Sequence, residues 1–260
     1  MGVLSGRVAI VTAGAGPGMG SAFSKALAKE GAAVCVADIK GDLAEKIAAE
    51  IRIDGGVAIA AECDVAHAGQ VESMVGRAVR ELGPIGILAN HAGISPSGPI
   101  TDMTEAQWDR AMAVHLKGAF LCTRAVVPHM KALGWGRIVS TSSRAAYRPS
   151  RHIRGMCDYA AAKAGLLGFS RALAVELGPF GITVNAISPG LVSGSGLLDG
   201  GHAMTPEEEE AASNAEGQVL PLRYARPEEL AGALLYLVGP HSDRVTGVVM
   251  HVNNGSYFPA

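Results

Sequence analysis

The sequence predicts an α/β fold: a doubly wound parallel sheet of about seven strands with helices on both faces. Two observations carry this. Short apolar, β-branched runs alternate with longer amphipathic ones along the chain. The short runs are apolar throughout, as strands of a parallel sheet covered on both sides must be. Taken in order, residues 7–13 (RVAIVTA) read as the first strand and 18–30 as the first helix. A second strand, 33–38, precedes a helical stretch at 43–53. A third strand at 57–61 leads to a helix at 70–82, and 87–90 is the fourth strand. Residues 104–132 are helical in two parts that divide near Lys117-Gly118, and Thr104 with Gln107 forms a capping-box sequence at their start. Then come a strand at 137–141, a long helix at 159–177, a strand at 183–187, a helix at 227–238 and a last strand at 248–252.

No linker or internal repeat divides the 260 residues, so they read as a single domain. Segment 193–217 is set apart by its Gly, Ser and Glu content. Within it, Thr205-Pro206-Glu207-Glu208 has the cap, proline and closing acid of a helix start. The segment is either a solvated helix or a lid over a site.

Composition excludes several classes. Glycine supplies 34 residues, well above ordinary usage, without a collagen period. With 48% hydrophobic and 18% charged residues the chain is not disordered. Its net charge of -2 does not suggest a nucleic-acid binder. The apolar stretch 177–198 is interrupted by Pro179, Asn185 and Pro189, so no membrane span is expected. Cys35, Cys63, Cys122 and Cys157 are too dispersed for a zinc or disulfide framework and read as thiols in a reducing compartment, the cytoplasm. The eight histidines show no metal-ligand spacing.

Part of the glycine excess has a position. Gly14-Ala15-Gly16-Pro17-Gly18-Met19-Gly20 lies between the first strand and the first helix. Backbone without side chains at such a turn lets a pyrophosphate reach the free N–H groups of the helix. Asp38 ends the second strand, where a carboxylate can accept from ribose hydroxyls and would repel a 2′-phosphate. The pair points to NAD rather than NADP. Further on, Tyr159 and Lys163 stand four apart on one helix, so the ammonium lies near the phenol. A positive charge there favours phenolate and suits the tyrosine to acid/base work. Ser142-Ser143, at the end of the fifth strand, can hold a substrate oxygen.

In this order, Gly14-x-x-x-Gly18-x-Gly20, Asp38, Asp64-Val65, Asn90-His91-Ala92-Gly93, Ser143, Tyr159-x-x-x-Lys163 and the run from Val184 to Gly190 resemble the short-chain dehydrogenase/reductase family over almost the whole chain. The resemblance implies a Rossmann-like domain and a bound NAD. It makes Tyr159 the acid/base, Lys163 the residue that binds the nicotinamide ribose and lowers the tyrosine pKa, and Ser143 the residue that orients the substrate oxygen. It places Gly14, Gly16, Pro17, Gly18, Met19, Gly20, Asp38, Ile39, Asp64, Val65, Asn90, Ala92, Gly93, Pro189, Gly190 and Val192 along the cofactor, together with Tyr159 and Lys163.

Several positions depart from the family pattern. Ala13 stands where a Thr is usual, so a side-chain hydrogen bond is expected to be missing. His91 replaces an Asn. His115 occupies the place of the Asn that serves a proton path to the lysine; it either takes over the relay or merely packs. The Thr expected after Pro189-Gly190 falls at Gly194, leaving Ser193 or Ser195 in its stead. The loop between Ser143 and Tyr159 is long for the family and carries Arg144, Arg148, Arg151, His152 and Arg154. Arginine forks pair with carboxylate or phosphate, so Arg144, Arg148 and Arg151 are candidates for an anionic substrate; the bland reading is a solvated loop or subunit contact.

The helix at 159–177 is apolar around much of its circumference, which predicts one face on the sheet and another in a homotetramer or homodimer. The sequence thus reads as an NAD-dependent dehydrogenase of a secondary alcohol or ketone, with an anionic substrate as one of the readings left open. A 3-oxoacyl thioester reductase is the alternative among enzymes, and a non-enzymatic NAD-sensing regulator the alternative outside them.

Overall fold

The computed structural model describes residues 2–150, 155–194, 205–220 and 223–258. Seven parallel strands form one sheet in the order β3-β2-β1-β4-β5-β6-β7. They are β1 (Val8–Thr12), β2 (Ala33–Asp38), β3 (Val57–Glu62), β4 (Ile87–Asn90), β5 (Gly136–Thr141), β6 (Ile182–Pro189) and β7 (Val249–Val252). The helices are α1 (Met19–Lys29), α2 (Gly41–Ile53), α3 (Ala68–Leu82), α4 (Glu105–Met112), α5 (Gly118–Leu133), α6 (Cys157–Leu177), α7 (Pro206–Ala215) and α8 (Pro227–Val238).

Both faces of the sheet are apolar, and β1 shows how. Ala9 and Val11 join a core with Phe23, Leu27, Ile51 and Leu234, beneath α1, α2 and α8. Val8 and Ile10 face the other way, into a core with Met74, Leu121, Val126 and Leu177, beneath α3, α5 and α6. An alternating pattern would have exposed one of these faces.

The chain leaves β1 toward β2 on one side and later returns to pair β4 with β1 on the other, Ala9 opposite Ile87. The loops after β1 and β4 therefore part, and a crevice opens beyond their carboxyl ends. Thr12 fixes its floor: the Thr12 hydroxyl accepts from the N–H groups of His91 at 3.0 Å and Ala92 at 3.1 Å. This corrects the expectation drawn from Ala13, since Thr12, one residue earlier, joins the first and fourth strand ends. Ala13 adopts a left-handed backbone with φ of 50°.

Both expected capping boxes form, at Thr104 with Gln107 and at Thr205 with Glu208. The division of the long helical segment is a wide π-helical turn, Ala113–Lys117, without a break in the helix path. It carries His115 and precedes Gly118, where a Cβ would stand 2.7 Å from Val65 Cγ2. Among the described residues, no helix is long and apolar enough to cross a membrane.

Candidate active site

A cleft of about 320 Å³ lies over the ends of β1, β4, β5 and β6. One wall is the glycine turn. Each glycine there does a different job. A Cβ on Gly20 would fall 1.9 Å from the Ala13 carbonyl oxygen, so Gly20 lets α1 start hard against the strand end. A Cβ on Gly14 would stand 2.7 Å from the Val11 oxygen. Gly16 faces open space, leaving its backbone accessible from the cleft. The N-cap of α1, Gly18, makes no side-chain cap and no acid sits in the first turn. The first N–H groups of α1 are thus left for a ligand, and the positive end of the helix dipole faces it. These features fit a dinucleotide pyrophosphate.

Asp38 ends β2 beside this turn. Its carboxylate accepts from the Ala15 N–H at 3.3 Å and the Lys40 N–H at 3.1 Å, which fixes its direction. Ile39, next to it, is exposed. Asp64, after β3, accepts from the Ala66 N–H at 2.9 Å and pairs with Arg110 at 3.0 Å. Burial opposes ionisation of Asp64, but the Ala66 bond and Arg110 outweigh it and hold the carboxyl below the ordinary range.

The opposite wall is built on β5 and α6. The Ser142 hydroxyl donates to the Lys163 carbonyl at 2.9 Å, tying the strand end to the helix. Ser143 hydrogen-bonds to the Tyr159 phenol, and its oxygen accepts from the Ala145 N–H at 3.1 Å. One turn on, Lys163 donates to the Thr141 carbonyl oxygen at 2.7 Å and stands 5.5 Å from the Tyr159 ring centroid. Burial pushes the Lys163 ammonium down to about 7. Burial also raises the Tyr159 phenol, against the Ser143 hydrogen bond. This corrects the expected lowering by lysine: a low-dielectric wall disfavours phenolate and ammonium alike.

His115 and His91 complete this wall. The His115 ring meets the Tyr159 ring edge-on at 5.2 Å. Its Nε2 lies 3.0 Å from the Ile94 carbonyl oxygen and 3.2 Å from the Ile94 N–H. Its Nδ1 has no hydrogen-bond partner among the described residues. A Cβ on Gly93 would stand 3.0 Å from that Nδ1 and 3.7 Å from Lys163 Nζ, so Gly93 keeps open the space between them. Burial first, and the lysine charge second, push both His115 and His91 down to about 3. Both rings are therefore neutral at ordinary pH. His91 Nδ1 lies 3.1 Å from the Thr141 hydroxyl.

The cleft gathers Gly16, Pro17, Gly18, Met19, Gly20, Gly93, His115, Ser143, Tyr159, Lys163, Pro189, Gly190 and Val192. Gly14, Asp38, Ile39, Asp64, Val65, Asn90 and Ala92 are not among its lining residues. Of these, Asn90 donates to the Thr123 hydroxyl at 3.2 Å and supports from behind. Thr141 and Asp158 were not anticipated. Asp158 is fully buried, accepts from the Tyr159 N–H at 2.7 Å, and accepts from the Ser97 hydroxyl at 2.6 Å. An acid in the first turn of α6, directly before the tyrosine, was its only signal.

The arginine loop departs from expectation. Arg144 is buried, and its Nη1 lies 2.7 Å from Glu216. Arg148 donates to the Ser256 carbonyl at 2.8 Å. Arg144 is thus engaged inside the protein, whereas Arg148 stays exposed and is held by one backbone carbonyl; the described part of the loop meets Glu216 through Arg144 and Ser150, and Ser256 through Arg148. Arg151, His152 and Arg154 lie outside the described residues, as do Ser195 and the rest of 195–204 in the expected lid. Ser193 donates to the Ala225 oxygen at 3.3 Å, and a Cβ on Gly194 would come within 3.7 Å of the Pro17 oxygen.

The model of a family described as enoyl-(acyl carrier protein) reductase matches residues 14–257. The chain is 41% identical to the short-chain reductase protein NovJ of Streptomyces niveus, over 95% of this chain and 93% of that one. It is 36% identical to the (2S)-[(R)-hydroxy(phenyl)methyl]succinyl-CoA dehydrogenase subunit BbsD of Thauera aromatica, over 97% of each. A solved 7α-hydroxysteroid dehydrogenase, in complex with NADH and 7-oxo glycochenodeoxycholic acid, superposes with a TM-score of 0.87 at 33% identity. That match covers 97% of this chain and 94% of the other. With its seven-stranded parallel sheet, this chain belongs to the short-chain dehydrogenase/reductase family, oxidoreductases that act on CH–OH groups with a nicotinamide cofactor.

Proposed function

We propose that the protein interconverts a secondary alcohol and its ketone with NAD(H), using Ser143, Tyr159 and Lys163 as its catalytic residues. The observation that carries this reading is their convergence with the uncapped glycine turn in one cleft. A bound nicotinamide supplies the hydride acceptor or donor. Ser143 holds the substrate oxygen and Tyr159 exchanges its proton. A phenol kept protonated by burial is a ready donor when a ketone is reduced. Lys163, held on the Thr141 carbonyl, aligns the ribose and exchanges protons near neutrality. His115 serves as the relay: with its Nε2 on Ile94, its Nδ1 faces Lys163 across the Gly93 space.

Asp38 supports NAD over NADP, because a fixed carboxylate at that strand end repels a 2′-phosphate. Arg144, paired with Glu216, is withdrawn from any anionic substrate, while the exposed Arg148 remains a candidate for one. We assign the protein to the cytoplasm, since all four cysteines are free thiols, and to a homodimer or homotetramer joined through α5 and α6. Tyr159→Phe tests the reading. Turnover of a panel of secondary alcohols should fall by about 1000-fold or more, while NADH binding by fluorescence stays near wild type. A variant that keeps its turnover would refute it.

A further inference from the structure

The inner face of α7 is unlike that of any other helix here. Glu209, Ser213 and Glu216 recur at helical spacing, and all three are buried. Hydrophobic burial cannot hold such a face; directed polar contacts hold its two carboxylates. Glu209 pairs with Arg226 at 3.1 Å, on the approach to α8. Glu216, at the C-terminal end of α7, reaches the opposite way. One carboxylate oxygen meets Arg144 Nη1 at 2.7 Å, and the other accepts from the Ser150 hydroxyl. Arg144 directly follows Ser143. Its carbonyl accepts from Tyr147 and Arg148, and Ser143 itself caps the short turn Arg144–Ala146. Any displacement of Arg144 is therefore passed to Ser143 through one peptide unit.

We propose that Arg144 and Glu216 are positioning residues for the reaction: their buried pair, closed by Ser150, anchors the Ser143 turn to the end of α7 and sets the serine hydroxyl against Tyr159. This rests on the catalytic reading above. The pair sits outside the cleft lining, so it acts through Ser143 and not by touching substrate or cofactor. Serine misplaced by an ångström costs rate and leaves cofactor affinity alone, because the glycine turn is on the opposite wall.

The test separates position from stability. Removing one partner leaves a buried charge, so Glu216→Gln is expected to lower both stability and kcat. Replacing both, Arg144→Met with Glu216→Met, removes the charges together and can leave the melting temperature close to wild type. In that double variant kcat should fall by about 10- to 100-fold with the NADH dissociation constant unchanged. Ser150→Ala, a milder change, should lower kcat in the same direction. The charge-swapped pair Arg144→Glu with Glu216→Arg should recover part of the rate lost by Arg144→Glu alone. Hydrogen exchange over 206–220 gives a readout independent of turnover, and should quicken in Glu216→Gln. A folded double variant with wild-type kcat overturns the proposal, as does equal loss of NADH binding and rate. If the double variant does not fold, unchanged kcat in Ser150→Ala overturns it instead. Wild-type protein that binds NADH but turns over no alcohol or ketone would defeat the catalytic reading, and the exchange experiment would still report on the clamp.

Discussion

Lys163 carries the sharpest consequence at the scale of single residues. Its ammonium ordinarily titrates at 10.5 and is pushed down to about 7 by burial. Between those values the unfolded chain holds a proton that the folded chain has released. Stability must therefore rise with pH across that window. The buried thiols set its upper limit: Cys35 is pushed up to about 12 and Cys63 to about 11, each from 9.0. Above 9 the unfolded thiols ionise first, and stability falls again. The denaturation midpoint of the protein without cofactor should rise from pH 7 to pH 9, and Lys163→Met should lose most of that rise. Parallel profiles for the two proteins would contradict the burial. Of the site residues, Tyr159 and Lys163 were legible because their fixed spacing carries their chemistry, and Ser143 from its place at the end of the fifth strand. The fate of Arg144 was not, since its partner Glu216 lies far along the chain and nothing local distinguishes an arginine that binds an anion from one that is buried against a carboxylate.

Among the elements, the turn between β1 and α1 was read most fully, because glycine is the residue that close backbone approach demands. The structure divides the work within it. Alanine in a helix is ordinarily better than glycine by roughly 0.5–1 kcal/mol. At Gly20 that gain is overwhelmed, since the new Cβ would lie 1.9 Å from a backbone oxygen. Gly20→Ala should therefore lower the melting temperature by several degrees and weaken NADH binding with it. At Gly16 the new methyl meets no protein atom within 4 Å, so Gly16→Ala should leave the melting temperature unchanged and weaken NADH binding alone. Thermal melts beside fluorescence titrations decide this, and similar melting losses in both variants would be inconsistent with the division. The π-helical turn that presents His115 was less legible. Its residues, AVHLK, suit an ordinary α-helix, and the wider turn is seen only with its tertiary contacts, His115 against Ile94 and against Tyr159 of α6.

Among the described residues, an apolar groove lies uncovered behind the active site. Met112, Ala113, Leu116, Phe120, Gly165 and Phe169 line a groove where the π-helical turn and α5 meet α6. Phe120 is 43% exposed, and Ala161, Ala164, Gly168, Ala172 and Val175 continue an exposed stripe of small apolar residues along α6. A second copy of the chain suits this face, because small residues on α6 admit a facing helix closely and the rim charges Asp109 and Lys117 are of opposite sign. The same helix carries Tyr159 and Lys163 on its buried side. Covering the outer side of α6 would hold the catalytic pair from behind, so assembly and rate should be linked. By sedimentation velocity, wild type is expected to run as a dimer or tetramer and Phe120→Glu as a folded monomer. Its kcat should fall, because the tyrosine helix then has solvent behind it. Wild-type protein that sediments as a monomer at micromolar concentration would rule out the interface. A monomeric variant with full kcat would keep the interface and remove its link to catalysis.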